Sequence, residues 1–127
     1  MKLAVVGSRN FNKSNFAFAK IDELRKKYPS INTIVSGCAR GADQIGLDYA
    51  EQNNLETMRF PADWDRFGKA AGMIRNSDIV KNADILIAFW NMMSPGTRDS
   101  INKAKKKKIP VIIVDTREIP IEYFMIK

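Results

Sequence analysis

Leu3-Ala4-Val5-Val6-Gly7-Ser8-Arg9-Asn10-Phe11 is a short apolar run that breaks at a glycine and continues as a polar loop. A continuous apolar run of this length reads as a strand buried on both faces, the kind that parallel sheets contain. Four more such runs follow at regular spacing: Ile31–Val35, Thr57–Phe60, Ile85–Phe89 and Pro110–Val114. Thr57-Met58-Arg59-Phe60 is the least apolar and is expected nearer an edge. Helical patterns lie between the runs. One extends from Ser14, read as its N-cap, to about Tyr28, with Phe16, Ala19, Ile21, Leu24 and Tyr28 on one broad face. A second covers about Ala42–Asn53, a third about Lys69–Asn82 and a fourth Thr97 to about Lys107. The alternation βαβαβαβαβ predicts a Rossmann-like α/β fold: a doubly wound, mostly parallel five-stranded sheet with helices on both faces.

The 127 residues fit a single domain spanning the whole chain, and 45% hydrophobic content suffices for one core. Residues 116–127 are an apolar tail, carrying Ile119, Ile121, Tyr123, Phe124, Met125 and Ile126. It is expected to pack on the domain or on a second subunit. That tail, with Trp64, Trp90, Met92 and Met93, offers enough apolar surface for a homo-oligomer. The run after Met1-Lys2 stops at Gly7, too soon for a secretory leader, and no apolar stretch approaches the ~18 residues of a membrane span. A lone cysteine, Cys38, makes no internal disulfide, which points to a cytoplasmic protein.

With no histidine in the chain, imidazole bases, Ser-His-Asp triads and His-ligated zinc are excluded. No metal site is expected. The net charge of +7 favours anionic partners. Much of the excess lies in Arg25-Lys26-Lys27 and Lys105–Lys108, near the C-terminal ends of helices. These runs read either as solvated ends that complement helix dipoles or as nucleic-acid contacts.

In doubly wound sheets ligands lie outside the carboxyl ends of the strands, where strand order reverses, so four loops matter. Gly7-Ser8-Arg9 combines a sharp turn, a hydroxyl and a guanidinium fork for phosphate. Ser36-Gly37-Cys38-Ala39-Arg40-Gly41-Ala42-Asp43 is built of small residues suited to aiming amides at an anion, or to a tight packed turn. Here Asp43 is a helix cap and Arg40 its partner or a ligand contact; Cys38 has no histidine to activate it. The loop from Phe60 to Gly72 is long, with Asp63 and Asp65 available to ribose hydroxyls and Trp64 to a base, or else serving as caps and a core plug. Arg75-Asn76 follows on the same rim. Asn91–Ser100 contains Gly96-Thr97 opening a helix, where amides and the Thr97 hydroxyl hold a phosphate or cap the helix. The amides beside Gly7, Gly37 and Gly96 are expected to converge on one crevice.

Taken together, these words resemble the SLOG superfamily, within it the small DUF2493-type, YspA-like (YpsA-related) branch. They are Gly7-Ser8-Arg9 with Phe11, Ser36-Gly37-x-Ala39-Arg40-Gly41-Ala42-Asp43, Phe60-Pro61-Ala62-Asp63-Trp64, Gly68-Lys69-Ala70-Ala71-Gly72 with Arg75-Asn76, Ala83-Asp84 and Gly96-Thr97. The resemblance runs from Met1 to about Val114. It implies a Rossmann-like fold that binds a nucleotide or nucleotide-derived ligand, such as an ADP-ribose-like or NAD-related molecule or a nucleoside monophosphate, as a sensor or sequestering module with no required cofactor. Arg75–Ser100 also looks like the phosphoribohydrolases, which pair an arginine with PGGxGTxxE and cleave nucleoside monophosphates. Ser100 stands where that glutamate belongs, leaving Arg75, Asp99 and Asp63 as catalytic candidates. Cys38 departs from the branch's SGGARGAD pattern. DNA-processing members of the superfamily supply a third reading, single-stranded nucleic-acid binding.

Overall fold

The structure, a computed structural model, describes residues 1–119. Its elements in chain order are β1 (Lys2–Gly7), α1 (Ser14–Lys27), β2 (Thr33–Ser36), α2 (Ala42–Gln52), β3 (Glu56–Arg59), the short α3 (Trp64–Phe67), a 3-10 turn (Gly68–Ala70), α4 (Ala71–Lys81), β4 (Ile85–Trp90), α5 (Pro95–Lys107) and β5 (Val111–Asp115), then a last 3-10 turn at Thr116–Glu118. All five strands are parallel, in the order β3-β2-β1-β4-β5. The chain builds outward from β1 to β3, then crosses back to lay β4 on the other side of β1. The reversal falls between β1 and β4, where Gly7 pairs with Phe89.

Alternate side chains of the central strands supply two cores. Leu3, Val5, Ile34, Ile85, Ile87 and Phe89 pack beneath α1 and α2, with Phe16, Ile21, Ile45 and Tyr49. Ala4, Val6, Val35, Leu86, Ala88 and Trp90 pack beneath α4 and α5, with Ile79, Val80, Ile101 and Ala104. Burial on both faces explains why β1 and β4 read as unbroken apolar runs. Each fully buried Leu, Ile or Val contributes about 1.5–3 kcal/mol from removal of apolar area from water. β3 is partly exposed at the edge, as its composition implied.

Several expectations are corrected. Ser14 is not a cap: Lys13 holds the cap position, without a side-chain hydrogen bond, and Ser14 begins the helix. Ile31 precedes its strand, its amide donating to Tyr28 O in the turn after α1. The helix expected from Lys69 begins at Ala71, after α3 and the 3-10 turn. The last helix begins at Pro95 rather than Thr97, because proline at the first helical position needs no hydrogen-bonded N–H. Trp90 adds nothing to the apolar surface, being 8% exposed with its Nε1 donating to Ser94 O. Of the apolar tail, Ile119 packs against the core under α1; Ile121, Tyr123, Phe124, Met125 and Ile126 lie outside the described residues. No helix among the described residues is long and apolar enough to cross a membrane.

Candidate functional site

A crevice of about 840 Å³ opens at the carboxyl ends of β1 and β4, the place where a doubly wound sheet binds its ligands. Its first wall is the loop after β1. Gly7 has no room for a side chain, since a Cβ there would strike Phe89 O and Ala42 Cβ. Buried Ser8 ties the neighbouring loops together. Its amide donates to Phe89 O (3.1 Å), and its carbonyl accepts from Phe11 N and Ala42 N (3.2 and 3.3 Å). Its Oγ accepts from Asn91 N (3.3 Å). Exposed Arg9 lies with its Cζ 6.0 Å from the Trp64 ring centroid, at the mouth.

The second loop closes on itself. Ser36 Oγ donates to Asp43 O and accepts from Cys38 N (3.0 and 3.2 Å). Ala39 N donates to Asp43 Oδ2 (3.3 Å), so Asp43 braces the loop ahead of its helix instead of capping α2. The amides of Cys38 and Ala39 are thereby occupied. Gly37 itself is covered: a Cβ would stand 2.6 Å from Arg75 Nη1 and 2.9 Å from Asp43 Oδ2. Arg75 Nη1 donates to Gly37 O (2.8 Å), and its Nε to Asn76 Oδ1 (3.1 Å). The main chain beside Gly37 therefore does not reach the crevice, and the Arg75 guanidinium covers it. Gly7 and Gly96 do line it. At Gly41, φ +81°, a Cβ would strike the Ser8 and Arg9 carbonyls, so only glycine fits. Ser36 and Gly41 support the wall without lining it, whereas exposed Arg40 lines it without pairing to Asp43.

Asp43 is buried and Arg75 partly buried, with Oδ2 and Nη1 4.0 Å apart. Burial pushes the Asp43 carboxyl up to about 6, although Arg75, the Ala39 amide and Arg9 favour its ionised form. Burial likewise raises the Cys38 thiol, against the pull of Arg59 and Arg75, so thiolate chemistry is disfavoured there. Cys38 also sits at φ 64°, a left-handed position that favours glycine.

The far wall is the start of α5. Gly96 and Thr97 are the second and third residues of that helix, where amides lack intrahelical acceptors. A Cβ at Gly96 would meet nothing within 4 Å, so this stretch of backbone is open to a ligand. Thr97, 4% exposed, also lines the crevice, and its hydroxyl donates to Ser94 Oγ (3.2 Å) instead of capping the helix. Asn76 Nδ2 bridges α4 to α5 by donating to Gly96 O and Asp99 Oδ2 (3.2 and 3.1 Å). Asp99 is further held by Lys103 at 2.7 Å, and Ser100 Oγ donates to Gly96 O (3.4 Å). Asp63 caps α3, its Oδ1 accepting from Arg66 N (3.1 Å), and neither it nor Asp65 lines the crevice. Trp64, half exposed, does line it and is no core plug.

Lys69 and Asn91 are lining residues that the sequence reading did not single out. Lys69 belongs to the resemblance word Gly68-Lys69-Ala70-Ala71-Gly72, which assigns it no role of its own. Asn91 directly follows β4, a position that carries ligand contacts in this architecture, and that was the available signal. No group of three or more acidic or thiol side chains suited to a metal ion gathers among the described residues.

Comparisons with known proteins agree with the fold. The chain is 36% identical over 118 residues to the Gene 61 protein of Mycobacterium phage D29, covering 87% of this chain and 94% of that one. Its fold matches the X-ray structure of DNA processing protein A (DprA) from Streptococcus pneumoniae with a TM-score of 0.72 at 22% identity. That match covers 88% of this chain and 49% of the other, so the chain spans about half the length of DprA. A sequence profile of the YspA, cpYpsA-related SLOG family matches residues 1–67, more than half of the 127. The chain belongs to the YspA, cpYpsA-related SLOG family.

Proposed function

We propose that the crevice binds the phosphate-bearing part of a nucleotide-derived small molecule, ADP-ribose-like, NAD-related or a nucleoside monophosphate, and that the protein acts as a sensor or sequestering module. One observation carries this reading. Arg9, Arg40, Lys69 and Arg75 meet the open α5 amides around a single crevice at the switch point. Cationic side chains and a helix N-terminus both stabilise a phosphate, and 840 Å³ lies within the range of small-molecule sites. The reading needs no cofactor and places the protein in the cytoplasm, where such ligands occur and Cys38 stays reduced.

Hydrolysis of nucleoside monophosphates ranks lower. Asp99 is neutralised by Lys103, Asp63 stands outside the crevice, and the Ser100 hydroxyl is turned back on Gly96 O. Nucleic-acid binding through the lysine run also ranks lower. The run ends α5, and 13 helical residues at 1.5 Å each put it about 20 Å from the crevice. Lys107, moreover, is spent on the carbonyls of Val80, Lys81 and Ala83.

The test is thermal melting with AMP, ADP-ribose and NAD. A ligand at one hundred times its dissociation constant adds about 2.7 kcal/mol, a shift on the order of 10 °C for a domain this size. Arg9→Ala, an exposed change, is expected to abolish most of it. No shift with any of the three, or one indifferent to both Arg9→Ala and Lys69→Ala, refutes the reading. Release of free base from AMP would favour the hydrolase, and salt-steep oligonucleotide binding the nucleic-acid reading.

A further inference from the structure

Two carboxylates line the crevice, and they differ in one respect. Asp99 is engaged by Lys103 and Asn76. Asp43 is 7% exposed, and its Oδ2 takes the Ala39 amide. Its Oδ1 accepts no hydrogen bond from any described residue; Arg75 Nη1 stands 4.0 Å from the other oxygen, Oδ2. Every fully buried side-chain nitrogen and oxygen among the described residues has a partner. The unpartnered Oδ1 therefore meets the open crevice. Such an acceptor is within reach of solvent, and a ligand that displaces water from it must replace that hydrogen bond; the cationic neighbours Arg9 and Arg75 do not supply one.

The chemistry of the missing partner follows from these surroundings. A phosphate oxygen would be repelled by the carboxylate. An ammonium group would be repelled by Arg9, Arg40, Lys69 and Arg75 around the same crevice. A neutral hydroxyl meets neither objection and donates one charge-assisted hydrogen bond. We propose that Asp43 Oδ1 accepts a hydrogen bond from a sugar hydroxyl of the ligand, so that the crevice takes a ribosyl phosphate. Asp43 on α2 reads the sugar while the cations and the α5 amides hold the phosphate. This rests on the phosphate-binding reading above and assigns to Asp43 the sugar contact that the sequence suggested for Asp63 and Asp65.

Calorimetric titration of the wild-type protein with AMP and with 2′,3′-dideoxy-AMP tests it, since the two share base and phosphate and differ in the hydroxyls alone. The hydroxylated nucleotide is expected to bind about tenfold more tightly or better, the usual size of a hydrogen bond to a charged group. In Asp43→Ala that preference falls to about onefold while phosphate-dependent binding persists. Asp43→Asn, which keeps the side chain's shape, retains a reduced preference, because a neutral acceptor is weaker than an ionised one. Equal binding of both nucleotides by the wild type overturns the Asp43 assignment and leaves the phosphate site standing. A preference that survives Asp43→Ala overturns it too. Failure of both nucleotides to bind overturns this inference, and with it the phosphate reading where ADP-ribose and NAD also give no melting shift.

Discussion

Asp43→Asn is expected to stabilise the ligand-free protein at pH 8 and to leave it unchanged at pH 4. The unfolded carboxyl titrates near 3.8 and the folded one near 6, so the folded chain holds the proton more tightly. Native stability from this group is full below about pH 4 and is lost as the pH climbs to about 6. At 1.36 kcal/mol per pH unit the interval corresponds to about 3 kcal/mol. That figure is an upper bound, because the crevice admits water beside Oδ1, and a gain of about 1–3 kcal/mol is expected. Asparagine removes the charge and preserves an oxygen for the Ala39 amide. Urea unfolding of both proteins at pH 4, 6 and 8 measures the difference, and other carboxyl groups cancel between them. Asp115, which Arg117 holds below the usual range, is one such group. The reasoning fails if the two stability curves run parallel from pH 4 to 8, or if the variant is the less stable at pH 8.

Three further outcomes follow from the packing. Lys107→Met leaves the carbonyls of Val80, Lys81 and Ala83 without their shared donor and should cost about 2 kcal/mol in urea unfolding, against less than about 0.5 kcal/mol for exposed Lys105→Met. Gly41→Ala places a methyl group on the Ser8 and Arg9 carbonyls at φ +81°; a loss of about 2–3 kcal/mol, with a lower melting temperature, is expected. Cys38→Gly relieves a left-handed side-chain conformation and should raise stability by up to about 1 kcal/mol, read as a higher urea midpoint at unchanged slope.

Fold class was legible because both central strands are apolar on each face and the turns between elements are rich in glycine. What misled the reading was local chemistry with two meanings. Thr97 before a periodic segment looks like a cap, yet Pro95 two residues earlier carries the stronger start signal. Asp43 at a helix start also looks like a cap. Nothing nearby in sequence announces that Arg75, on a different helix, arrives to cover the Gly37 carbonyl. Nor does composition tell that the fold leaves Arg40 exposed and draws Arg75 partly under cover. Trp64 and Trp90 were both counted as spare apolar surface, although only Trp64 is exposed. The residues lining the crevice were mostly legible, because chain topology alone brings the loops after β1 and β4 together. Which of their polar atoms are free was not, since that depends on contacts between elements distant in sequence.

Ser8, fastened at once to Phe89, Ala42 and Asn91, makes three loops behave as one piece. A ligand arriving there meets a receptor already in shape, and little motional freedom has to be surrendered on docking. Under the proposed reading the exposed arginines at the mouth, Arg9 and Arg40, act from that fixed frame, so each surrenders only its own side-chain freedom when an anion docks.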